Sequence, residues 1–153
     1  MPYSSFRQFG VALCGAAGTA LPDLKADANG LVAFHFVIDD VTVNVVQLEL
    51  PHNDEAFILV VFGMAPSGQE LEVLRVMGDA NFTMMSASSP VMCRDPESGE
   101  MVLRKSIWLS MVEARDVLAS IMQLTRLAKH WRADPTLERL DESDGVFDPQ
   151  RFA

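Results

Sequence analysis

The residues that could do chemistry are few and scattered. His35, His52 and His130 are the only histidines, and none stands beside another His or a carboxylate in a metal-binding pattern such as HExxH. His35 falls inside an apolar run, which suits a sheet histidine better than a ligand, and His130 falls near the end of a long helical stretch, where the helix dipole favours a cation. No serine occupies a GxSxG elbow. Asp39-Asp40 has turn character, and nothing nearby marks a cleft that would split two carboxylate pKa values for acid–base work. Gly10, Gly15 and Gly18 match neither GxGxxG nor a Walker loop. Cys14 and Cys93 form no CxxC, suit a reducing compartment and read as core residues. These patterns point to no enzyme, no metal and no cofactor. Only a site assembled from distant residues would change that.

Behind these residues lies the stretch from Leu31 to Met64, around which the chain is organised. Three apolar runs rich in Val, Ile and Phe are separated by Asp39-Asp40 and by Pro51-His52-Asn53-Asp54. Runs of this composition with short polar breaks predict strands, and a two-residue break permits only an antiparallel hairpin. In the first run Val32, Phe34, Phe36 and Ile38 share one side, and Leu31, Ala33, His35 and Val37 the other. In the second, the apolar parity moves from Val41, Val43 and Val45 to Val46, Leu48 and Leu50. Either a bulge intervenes or both faces carry apolar surface. We expect helices to cover one face and part of the other to await a partner, against the alternative of two-sided burial within the chain.

The remaining elements follow in order. Ser5 and Gln8 form a capping-box pattern ahead of Phe6, Phe9, Leu13 and Ala17, predicting a helix over 5–18, which the internal glycines weaken and Gly18 ends. A second helix opens near Gln69 with Leu71, Leu74, Arg75 and Gly78 on one side. Residues 90–109 read as a second hairpin, with Asp95 to Glu100 as its loop. Ser110 and Glu113 suggest a capping box for the best helix, whose stripe is Val117, Ile121, Leu124, Ala128 and Trp131. The expected fold is therefore α+β, a single domain in the order α-β-β-β-α-β-β-α, an antiparallel twisted sheet with helices packed against it. The folded unit is placed at residues 1–132. Residues 133–153 are acidic and read as a flexible tail, with a short helix conceivable at 135–140 and docking conceivable through Phe147 and Phe152.

Composition narrows the function. At 153 residues and 49% hydrophobic the chain is long and apolar enough for one cored domain. No apolar run reaches eighteen residues, and the N-terminus lacks the charge and continuity of a signal peptide. A formal charge of −9 argues against nucleic acid and for solubility, and it would attract basic partners. Nine methionines suit both ordinary cores and surfaces that accept varied partners.

Over residues 4–132 the sequence resembles the class I type III secretion chaperones, the family that includes the Tir chaperone. The resemblance lies in Leu21-Pro22 after the first helix, the turn ending at Gly30, and the strand closing on Asp39-Asp40. It continues through Met77-Gly78-Asp79-Ala80-Asn81-Phe82, Asp95-Pro96-Glu97-Ser98-Gly99-Glu100 with Met101-Val102-Leu103, and His130-Trp131-Arg132. Gly78, Gly10, Gly15 and the long tail depart from the pattern and bear on helix lengths. The resemblance implies a cytoplasmic homodimer of a Gram-negative bacterium that binds the N-terminal segment of a secreted effector without ATP, catalysis, cofactor, nucleic acid or membrane insertion. It places effector contacts at Phe6, Phe34, Phe36, Val43, Val45, Leu48 and Leu50, and the dimer seam at Leu71, Leu74, Val91 and Met92. The competing expectation is a YbjN-like interaction or regulatory module of the same architecture with no secretion role.

Overall fold

A computed structural model describes residues 3–84, 86 and 89–137. The expected acidic tail beyond Leu137, the short helix at 135–140 past that point, and the docking of Phe147 and Phe152 lie outside the described residues.

Eight elements appear in the expected order: α1 (Phe6–Ala17), β1 (Leu31–Ile38), β2 (Val41–Leu48), β3 (Glu55–Gly63), α2 (Glu70–Thr83), β4 (Val91–Arg94), β5 (Met101–Trp108) and α3 (Ala114–Ala133). The strands form one antiparallel sheet in the spatial order β1-β2-β3-β5-β4.

Local chemistry explains the boundaries. Ser5 Oγ accepts the Gln8 N–H at 3.2 Å and starts α1. The Gln8 side chain reaches back to Ser4 N–H rather than Ser5, so the capping box is shifted by one residue. At the other end Gly18 adopts φ 74°, and the N–H groups of Gly18 and Thr19 bond to Gly15 and Cys14 carbonyls, which closes the helix. Gly10 does more than loosen α1. A Cβ there would lie 2.9 Å from Leu21 Cδ1 and 3.2 Å from Phe34 Cε1, so its bareness lets the helix sit close to the sheet.

The Asp39-Asp40 break is a tight hairpin with both residues at positive φ, 52° and 64°. That is the primed turn whose twist matches the strands. Arg132 then ties α3 to this end of the sheet, donating to the Phe62, Val61 and Asp40 carbonyls. Ser110 does not cap α3. Its N–H and hydroxyl both bond Asp54, and Glu113 occupies the N-cap without a side-chain capping bond to the helix.

The parity question has a clear answer. β1 and β2 pair without interruption from Leu31↔Leu48 to Ile38↔Val41, so no bulge intervenes there. Phe34, Phe36, Val43, Val45, Ile58, Val60 and Leu103 lie on one face and are buried. The stripe of α3, including Ile121, Leu124, Ala128 and Trp131, is buried against this face together with Phe9 and Leu13 of α1. α2 buries Val73, Met77 and Ala80, not the expected side with Leu71 and Leu74, which stay exposed. Lys105 also falls on the covered face, opposite Ile58, and burial holds its ammonium pKa below the ordinary lysine value.

Candidate functional site

Among the described residues no helix lies on the second face of the sheet. Reading across the register, one row runs Ala33, Val46, Phe57 and Ser106, and the next runs His35, Asn44, Leu59, Arg104 and Val91. A third row continues with Val61, Val102 and Cys93. Val37 is 61% exposed and Trp108 50%. Exposed Val37, Val91 and Trp108 therefore share this face with the polar His35, Asn44, Ser106 and Arg104, and give a partner apolar area to bury.

The two edges of the sheet differ. At β4, the Asn81 side chain donates to Met92 O at 2.9 Å and accepts from Met92 N at 2.8 Å, so the end of α2 satisfies that edge. At β1, among the described residues, only the start of the outer edge is engaged, by Asp27, whose N–H bonds Leu31 O and whose carboxylate accepts Leu31 N–H. Beside the rest of β1 runs a groove of about 520 Å³, walled by Ala16 and Ala17 of α1, Leu118 and Met122 of α3, and His35 to Ile38 of β1. An edge strand bordering an apolar groove can take an extended peptide as a further strand, with alternate side chains entering the groove.

Of the residues expected to contact an effector, Phe6, Phe34, Phe36, Val43 and Val45 are buried on the covered face. Their rings and methyl groups fill the layer beneath the helices; the Phe6 and Phe34 rings meet at a tilt of 43° with centroids 5.5 Å apart. Phe36 also reaches the groove wall. Leu48 and Leu50 are exposed at the far end of β2. Of the expected seam, Leu71, Leu74 and Val91 are exposed, whereas Met92 is buried. Sequence reasoning passed over Val37, Phe57, Leu59, Trp108 and, on α2, the largely exposed Phe82. The opposite-parity set of each strand was the signal for the first four.

The two cysteines lie on opposite sides of the sheet. Cys93 was expected in the core but is half-buried on the open face, and burial raises its thiol pKa, partly countered by the nearby Arg104 charge. Cys14 is buried in α1, and its thiol pKa is likewise raised by desolvation. Among the described residues no cluster of His, Cys, Asp and Glu could hold a metal ion, and no helix is long and apolar enough to cross a membrane.

This geometry is that of a peptide-binding module, a sheet armoured on one side and open on the other. The chain belongs to the Tir chaperone protein (CesT) family, whose model matches residues 15–132. Its fold is similar to a chain of the HopA1–SchA chaperone–effector complex, at a TM-score of 0.57 and 12% identity, covering 84% of this chain and 93% of that one. A chain of the ExsC–ExsE complex gives 0.58 and 17% identity, covering 83% and 90%. A chain of the ExoT–SpcS complex from Pseudomonas aeruginosa gives 0.55 and 18%, covering 82% and 95%. A search of curated proteins returned no match.

Proposed function

We propose that this protein is a cytoplasmic chaperone of a Gram-negative bacterium that binds the N-terminal segment of a type III secreted effector and keeps it soluble for export. The observation that carries the reading is the uncovered apolar sheet face on a chain of the Tir chaperone family. An unfolded client has free backbone groups and exposed apolar side chains. The open edge of β1 satisfies the first, and the groove and open face bury the second. Each well-buried client side chain contributes about 1.5–3 kcal/mol, offset in part by ordering the segment. Binding is mass action on an exposed segment, so neither ATP nor catalysis is needed.

In this reading residues 1–132 are the binding unit. Leu48, Leu50, Val37, Phe57 and Trp108 contact the client, while Phe6, Phe34, Phe36, Val43 and Val45 hold the surface in shape from below. The molecule works as a homodimer joined along the exposed side of α2 and the adjoining β4, through Leu71, Leu74, Phe82 and Val91, with Met92 beneath.

Co-expression with the larger protein encoded by a neighbouring gene tests this. The expected product is a stable complex of two copies of this chain with one client N-terminal segment. A chain that purifies alone, leaves that neighbour's solubility unchanged and carries a bound metabolite would sink the reading.

A further inference from the structure

We infer that the open sheet face selects client segments carrying an acidic residue between apolar ones, and that Arg104 is the residue that reads the acid. This rests on the chaperone reading and deepens it, because it gives the client a chemistry. It also runs against the net charge of −9, which alone would favour basic clients.

Arg104 lies on the open face one strand in from the β4 edge, on β5 between Leu59 of β3 and Val91 of β4. Its guanidinium carbon sits 5.5 Å from the centroid of the Phe57 ring, a cation–π placement that holds the charge over the face. The chain has 21 carboxylate residues for 12 lysines and arginines, so a spare acid is easy to find. Yet among the described residues no carboxylate lies within ion-pair distance of Arg104. Among the described strand residues it is also the only lysine or arginine on the open face, because Lys105 points to the covered side and Arg94 pairs with Glu70 of α2. Glu55 is the described strand acid on this face; it stands two residues along β3 from Phe57, about 7 Å at the rise of a strand, and forms no ion pair with Arg104.

A segment laid on this face buries its apolar side chains against Phe57, Leu59 and Trp108 and strips water from Arg104. An unpaired cation resists that desolvation, and a carboxylate from the segment offsets it with a forked pair of hydrogen bonds. A client lysine at the same place meets a like charge in a drying interface. Distant surface acids are screened over about 10 Å in 0.1 M salt, so the contact charge decides the sign.

The test uses three fluorescent 12-residue peptides of alternating apolar and small polar residues, identical except for Asp, Asn or Lys at the centre, titrated into the full-length protein. The Asp peptide should bind about five- to tenfold tighter than the Lys peptide. Arg104→Glu should reverse that order and Arg104→Gln should level it, with thermal unfolding of both variants close to that of the parent. Equal binding of the three peptides, or a preference for Asp that survives Arg104→Glu, overturns the inference and leaves the chaperone reading standing. Failure of all three to bind the parent protein overturns the open face as a client surface as well. A complex formed on co-expression would then place the client elsewhere.

Discussion

The two faces of the sheet both carry Val, Leu and Phe, the open one interleaved with His35, Thr42, Asn44, Glu55, Arg104 and Ser106, and they behave oppositely. On β2, Val43 and Val45 point to one side and are fully buried, while Val46 and Leu48 point to the other and are half-buried or exposed. On β3, Ile58 and Val60 are buried and their neighbours Phe57, Leu59 and Val61 are not. The difference lies in what packs on top. Among the described residues three helices close the first face, and none reaches the second. Apolar content therefore indicates a need for cover, and only the arrangement of helices tells whether the chain supplies that cover or a partner must.

The strongest way to break the contrast is to remove bulk from the covered face. Phe62 is buried with its ring 5.7 Å from that of Trp131. Phe62→Ala should cost about 3–5 kcal/mol in chemical denaturation, through lost transfer energy and a residual cavity. A cost under about 1 kcal/mol would mean that this layer is not the core.

The same kind of change on the open face should separate binding from folding. Trp108→Ser and Val37→Asp alter exposed side chains, so stability should move by no more than about 0.5–1 kcal/mol. Client affinity, measured by titration of the co-expressed partner's N-terminal segment, should fall about tenfold, in line with a lost interface anchor. Equal losses of stability and affinity would erase the distinction between the faces.

A smaller effect sharpens the contrast at the hairpin that serves both faces. Asp40 holds φ 64°, a conformation that glycine adopts without steric cost. Asp40→Gly should raise stability by about 0.5 kcal/mol in denaturant titration, since relief of the left-handed backbone outweighs the extra freedom of the unfolded chain. Client affinity should not change.

The smallest effect lies off both faces, in the β4–β5 loop. The Asp95 carboxylate accepts the Glu97 N–H at 2.9 Å, and this backbone hydrogen bond holds its pKa below the ordinary aspartate value. A depressed folded-state pKa contributes stability that is present above the unfolded pKa and lost as pH falls through the folded one. Asp95→Asn should therefore lower stability slightly at neutral pH, with the difference from the parent closing as pH falls below about 4, as thermal melts across pH would record.

Much of the fold was legible because it is local. The β1 run and its Asp-Asp turn follow from composition and a two-residue break, and the α3 stripe follows from its spacing. Misreadings came where distant residues intervene. Ser110 had the spacing of a cap, but Asp54, far away in sequence, takes its hydrogen bonds. Gly10 looked like a weak point in a helix, but Phe34 and Leu21 press against it. The candidate site was half legible for the same reason. The expected contacts Phe34, Phe36, Val43 and Val45 are strongly apolar, and that property sent them to the core.

By itself the sequence determined the order of elements, the hairpins and the lack of any local pattern for catalysis, because propensity, turn chemistry and ligand spacing act over a few residues. Tertiary structure alone decided which strand parity lies under the helices, which edge Asn81 closes, and that Arg104 stands over Phe57 with no carboxylate among the described residues in ion-pair distance. A strand's period of two defines two faces but does not label them. The label comes from where α1, α2 and α3 pack, and that depends on the whole chain.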